Sequence, residues 1–243
     1  MFLSGHRGTR VHAIENTERA FQYCLDNNID YIEFDVKKTR DNEIIVFHDQ
    51  TVDRLLNGSG NVEKMSLQEL KMLHYKDGQS IQTLEEFFKQ VGKNIRPMLE
   101  IKSRGIASQV IDLVHNFQYK GEEILIQSFN PSDISQCYEI DPQFDYGLCF
   151  GPLGKYLLAR KTIARRFYEA KMAPFTFKWL NLDGPFIYDE IIDEVRRNGK
   201  HIILGAMKTE RFLHKLDRWG VEIVNADDPT YIRSKIRDLG YQC

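Results

Sequence analysis

Short β-branched and aromatic runs alternate with longer stretches of helical spacing along the whole chain, and this alternation restricts the fold more than any other feature. Strand candidates fall at residues 2–5, 31–36, 97–102, 123–128, 145–150, 177–182, 201–206 and 221–226. Strands separated by helices predict a parallel sheet, since parallel neighbours need a crossover between them. A further extended run, 43–48, follows 31–36 after only Lys37 to Asn42. That link is too short for a crossover, so the run is expected to return antiparallel through a tight turn at Asp41-Asn42. Setting it aside leaves eight parallel strands, the number that closes a (β/α)8 TIM barrel. The 243 residues suit one such domain, spanning 1–243 with a small insertion at about 50–82 that holds Gly58-Ser59-Gly60 and a short helix near Ser66–Leu73.

The helices announce themselves by their caps. An Asn16-Thr17 start predicts a helix over 17–27 with Ala20, Phe21, Cys24 and Leu25 on one face. Asn130-Pro131 and Asp228-Pro229 each pair a capping residue with proline at the first helical position, predicting helices over 131–140 and 230–238. Phe212, Leu213, Leu216 and Trp219 recur at helical spacing and predict another over 210–219. A net charge of −2 gives no reason to expect nucleic acid as a partner. Cys24, Cys137, Cys149 and Cys243 are scattered, so neither a zinc site nor a disulfide framework is indicated, and a reducing compartment fits. No apolar run approaches the roughly 20 residues of a membrane span, and no signal-peptide core precedes His6. The expectation is a cytoplasmic chain.

Chemistry concentrates at the strand ends. Residues two apart on a strand share a face, so Glu33 and Asp35 point together, as do Glu100 and Lys102. Carboxylates converging from two strands at a barrel mouth repel one another unless a cation sits among them, and hard oxygen ligands select Mg²⁺ or Ca²⁺. Taken singly, Glu33 and Glu100 are better explained as structural ion-pair partners of Lys102 and Arg7. Taken together beside His6 and His48, they favour one divalent cation. Arg7 offers a planar fork for phosphate oxygens, with Lys102 as a point charge nearby. His6 and His48 titrate near neutrality, so one can accept a proton while the other donates one. His12, His74, His115, His201 and His214 are read as packed or solvated.

The pattern His6-Arg7-Gly8, Glu15-Asn16-Thr17, Glu33-Phe34-Asp35, His48-Asp49, Asp53-Arg54, Gly58-x-Gly60, Glu100-x-Lys102 and Ser128-Phe129 closely resembles the glycerophosphodiester phosphodiesterase family over residues 5–130. The resemblance implies a phospholipase C-like phosphodiesterase barrel with an insertion after the second strand. It also implies hydrolysis of a glycerophosphodiester to glycerol phosphate and an alcohol. Glu33, Asp35 and Glu100 would hold the cation, His6 and His48 would be the general base and acid, Arg7 and Lys102 would bind phosphate, and Asn16 would buttress the site through its amide.

Two departures concern the substrate's organic part. Where family members commonly carry Trp-Thr-Val-Asn on the seventh strand this chain has Leu204-Gly205-Ala206-Met207, and the later Thr-Asp-Arg-Pro pattern becomes Ala226-Asp227-Asp228-Pro229. The segment 155–172 is basic and carries Tyr156, Leu157, Ile163, Phe167 and Met172. It reads first as an outer helix with a solvated face, and second as a peripheral membrane contact that would supply a lysophospholipid. A lysophospholipase D-like or sphingomyelinase D-like activity on lipid phosphodiesters is therefore the alternative to a soluble glycerophosphodiester substrate. A binding barrel without activity is disfavoured because every residue with an expected catalytic role is present.

Overall fold

The computed structural model describes residues 1–150, 177–182 and 189–242. Eight parallel strands close into a barrel: β1 (Phe2–Gly5), β2 (Tyr31–Lys38), β4 (Arg96–Ile101), β5 (Leu125–Ser128), β6 (Asp145–Phe150), β7 (Trp179–Leu182), β8 (His201–Met207) and β9 (Val221–Ala226). Each pairs with its neighbour in that order, and closure comes from β1 pairing with both β2 and β9. The fold is thus the (β/α)8 barrel that the strand count predicts. The short β3 (Ile44–Val46) lies outside the ring, antiparallel to β2, with Val36 opposite Val46.

Helices pack around the ring where the caps predict them. The helix Glu18–Asp26 starts at Thr17, whose hydroxyl accepts from the Ala20 amide, and it buries Ala20, Phe21 and Cys24. Pro131–Ile140 and Pro229–Asp238 begin at Asn130 and Asp228, whose side chains accept from the Ser132 and Tyr231 amides. One expectation fails in part. Residues 210–219 do not form a continuous helix: a 3₁₀ turn at Leu213–Lys215 precedes a single α-turn at Leu216–Trp219, ended by Gly220 at φ 61°. No side chain caps Phe212, so nothing starts an α-helix earlier. Leu213, Leu216 and Trp219 are buried all the same.

Period-two alternation sorts the strand residues into two sets. The outward set, among them Ile32, Phe34, Leu99, Ile126, Leu180 and Val224, joins the helices in one large core. The inward set begins with Tyr31, Met98, Leu125, Trp179, Ile203 and Ile223, a separate apolar cluster that plugs the lower barrel. Residues 50–82 build a satellite core from Val52, Leu56, Val62, Leu70, Tyr75 and Ile81 against Ile45 and Phe47 of the β3 segment. The short helix near Ser66–Leu73 is Leu67–Lys71, opened by a Ser66/Glu69 capping box. The basic segment 155–172 lies outside the described residues. Among the described residues, no helix is long and apolar enough to cross a membrane.

Candidate active site

The C-terminal ends of the strands surround a cavity of about 580 Å³. Six of the expected residues line it: His6, Arg7, Glu33, His48, Glu100 and Lys102. Asp35 and Asn16 lie beside them, both 1 % exposed. All eight are thus gathered at one mouth.

The turn after β1 organises one side. Arg7 (φ 54°) and Gly8 (φ 77°) are both left-handed. At Gly8 a Cβ would lie 2.7 Å from the backbone of Ala20, so only glycine fits there. This turn aims the Arg7 amide at Glu33 Oε2, 2.8 Å away. It also brings the Arg7 carbonyl to the amide of Asn16, itself at φ 58°. The Asn16 side chain then grips Asp35 twice: Nδ2 donates to Oδ2 at 2.8 Å, and Oδ1 accepts from the Asp35 amide at 3.3 Å.

Glu33, Asp35 and Glu100 each offer an oxygen within 4.8 Å of the other two, and all three side chains are buried. Burial and the two neighbouring carboxylates push Glu33 well above the usual carboxylate range. Burial would raise Asp35 as well, but Lys102 and Arg7 hold it far below that range. The Lys102 ammonium touches Glu100 and lies 3.2 Å from Asp35 Oδ1. Asp35 Oδ1, by contrast, accepts no hydrogen bond among the described residues. Crowded carboxylates with unused oxygen lone pairs fit a hard divalent cation. Arg7 Nε is also without a hydrogen bond, 3.2 Å from Asp35 Oδ2. The two cations read as phosphate-binding therefore stand against carboxylates, so the ion-pair and ligand-binding explanations describe the same side chains.

Each histidine is backed by a carboxylate. His6 Nδ1 lies 2.5 Å from Asp227 Oδ1 and His48 Nδ1 lies 2.7 Å from Asp49 Oδ1, which leaves Nε2 of each ring for chemistry. Burial lowers the basicity of both rings, opposed by the Asp227 hydrogen bond at His6 and by Asp35 at His48. The contribution of Asp227 was not legible in the sequence, since 221 residues separate it from His6. Asp49 was visible in the sequence through the His48-Asp49 pair of the family pattern, without a role attached. Glu15, visible in the sequence only as part of the Glu15-Asn16-Thr17 motif, gains a role in the structure: it receives Arg7 at 2.5 Å, Arg10 at 2.9 Å and Arg54 at 2.6 Å. Burial would raise Glu15, but hydrogen bonds from Arg54 and Arg7 bring it down to about 2. Of the histidines read as uninvolved, His12 stacks on Tyr23 and pairs with Asp228, while His115 and His201 pair with Asp141 and Glu222.

The model of the glycerophosphoryl diester phosphodiesterase family matches residues 6–230. A glycerophosphodiester phosphodiesterase of Caldanaerobacter subterraneus subsp. tengcongensis is 29% identical over 248 residues, covering 97% of each chain. Another from Bacillus subtilis is 24% identical, covering 92% of this chain and 82% of its own. Among solved structures, an Oleispira antarctica phosphodiesterase in complex with the product sn-glycerol-3-phosphate superposes with a TM-score of 0.83 at 21% identity, covering 98% and 97% of the two chains. At that identity the likeness speaks for the fold alone.

Proposed function

The chain belongs to the glycerophosphoryl diester phosphodiesterase family, and from that premise we propose that it hydrolyses glycerophosphodiesters to glycerol phosphate and an alcohol, with the mouth residues in the roles their chemistry suits. The carrying observation is the meeting of three buried carboxylates with two carboxylate-backed histidines in one cavity. Glu33, Asp35 and Glu100 would hold one Mg²⁺ or Ca²⁺, which when bound supplies charge stabilisation at the phosphoryl oxygens.

The remaining steps fall to the chain's own groups. Negative charge grows on the non-bridging oxygens as the nucleophile adds, and Arg7 and Lys102 are the cations at hand to meet it. Both have to turn part of their hydrogen-bonding capacity from carboxylate to phosphate when substrate enters. One histidine Nε2 takes the proton of the nucleophile, either water or the adjacent glycerol hydroxyl. The other gives a proton to the departing alkoxide. Asp227 and Asp49 fix the tautomers by accepting Nδ1–H, and Asn16 holds Asp35 in place.

The test is product analysis on glycerophosphocholine, glycerophosphoethanolamine and lysophosphatidylcholine with Mg²⁺ or Ca²⁺. Release of glycerol phosphate from the first two is the expected outcome. Turnover of the lysophospholipid alone would move the assignment to the lipid substrate.

A further inference from the structure

We propose that Asn181 and Asn225 form a hydroxyl-binding subsite in the floor of the cavity, which takes the glycerol half of the substrate and selects unacylated over acylated glycerol. This rests on the glycerophosphodiester reading and deepens it. The support lies in one layer of the barrel interior. Two residues above the apolar floor positions Tyr31, Leu125, Trp179 and Ile223, the same faces of β2, β5, β7 and β9 carry Glu33, Gln127, Asn181 and Asn225. Barrel layers are ordinarily filled by branched apolar side chains. This one is polar at all four positions.

Glu33 faces the acidic cluster, which leaves three carboxamides to explain. They are nearly inaccessible: Gln127 is 0% exposed, Asn225 2% and Asn181 8%. If they served only to knit the barrel together they would satisfy one another, and they do not. A single hydrogen bond joins them, from Asn181 Nδ2 to Gln127 Oε1 at 3.1 Å. Among the described residues, Asn181 Oδ1, Asn225 Oδ1 and the Gln127 Nε2 donor beneath them have no partner. Buried carbonyl oxygens without partners are costly, so such groups are retained where something else supplies the hydrogen. Both asparagines line the cavity that holds His6, Glu33 and Glu100. Gly205 of β8 adds no side chain at this level, and a Cβ there would lie 2.6 Å from Asn225 Cβ.

The chemistry of two amide oxygens selects the ligand. An alcohol O–H donates a hydrogen bond that such an oxygen accepts, and two such oxygens in one layer of the cavity suit a polyol. Acylating a glycerol hydroxyl removes that donor and leaves the matching oxygen buried and unpaired. Sites built to bond a hydroxyl discriminate strongly against the analogue that lacks it.

The experiment compares glyceryl p-nitrophenyl phosphate with propyl p-nitrophenyl phosphate, which share a leaving group and differ by the two hydroxyls. The wild-type enzyme is expected to prefer the glyceryl ester by roughly 100-fold or more in kcat/KM, and Asn181→Ala or Asn225→Ala each to reduce that preference about tenfold. A structural role would lower both rates in proportion and keep the ratio, and that result would overturn the proposal. Calorimetry with sn-glycerol 3-phosphate and propyl phosphate supplies an arm that needs no turnover. Tighter binding of the glycerol compound, lost in the two variants, supports the subsite even if neither diester is cleaved, a result that would count against the phosphodiesterase reading alone. Equal binding of the two phosphates would overturn the subsite.

Discussion

His6 and His48 carry the most direct consequences at the level of single residues. Replacing either by Ala should cost on the order of 10²–10⁴ in kcat with circular dichroism unchanged, since each change deletes one proton transfer. Loss of the folded spectrum in step with activity would point to a packing role instead. Asp227→Asn should leave His6 in place but favour the wrong tautomer, so kcat should fall well before KM moves. Glu100→Gln should behave differently, because it removes ligand charge rather than a proton carrier. Its rate should recover in part with excess Mg²⁺ or Ca²⁺, and titration calorimetry should show weakened cation binding; indifference to added cation would remove Glu100 from the ligand set. How far such residues can be read from sequence depends on what places them. Glu33 and Asp35 share a strand face by simple alternation, and so do Glu100 and Lys102. The Asp227–His6 pair is made by barrel closure across 221 residues, and no local pattern encodes it. Of the three arginines on Glu15, Arg7 and Arg10 come from the same loop, while Arg54 reaches over from the insertion, 39 residues away in sequence.

Among the elements, the turn after β1 is the most sharply constrained. Gly8→Ala would need a β-carbon 2.7 Å from the Ala20 backbone at φ 77°, so a loss of several kcal/mol, or failure to fold, is expected in a denaturant titration. Asp228→Ala should be milder, about 0.5–2 kcal/mol, because it removes one cap from the helix Pro229–Asp238. Both can be followed by urea midpoints at constant m-value. The strands were legible because each is a compact apolar run whose neighbours are fixed by crossover length, and the antiparallel β3 was legible by the same rule applied in reverse. The segment 210–219 was not. Apolar residues at spacing three and four fit a 3₁₀ turn followed by an α-turn as well as they fit one helix, and the missing cap at Phe212 decides between them only in three dimensions.

For the molecule as a whole, Glu15 joins the loop after β1 to the insertion through Arg7, Arg10 and Arg54. Its folded pKa is depressed from 4.5 to about 2, so the stability it confers is complete above 4.5 and is lost as pH falls from there towards 2. That contribution is on the order of 3 kcal/mol. Unfolding midpoints should drop across this window in the wild type and drop less steeply in Glu15→Gln; parallel slopes would show that the network adds nothing. The pairing of β1 with β9 has a temporal meaning as well. At about 5–20 residues per second of synthesis, β1 waits for tens of seconds before its second neighbour exists. Until then the edges of β1 and β8 stay open for association with other chains. A chain halted before Val221 should therefore sediment as aggregate and bind chaperones, whereas the completed chain should not. Because His6 meets Asp227 only when that seam closes, a nascent polypeptide would carry every other catalytic group and still lack the carboxylate that sets the His6 tautomer until the β9 segment has joined the barrel.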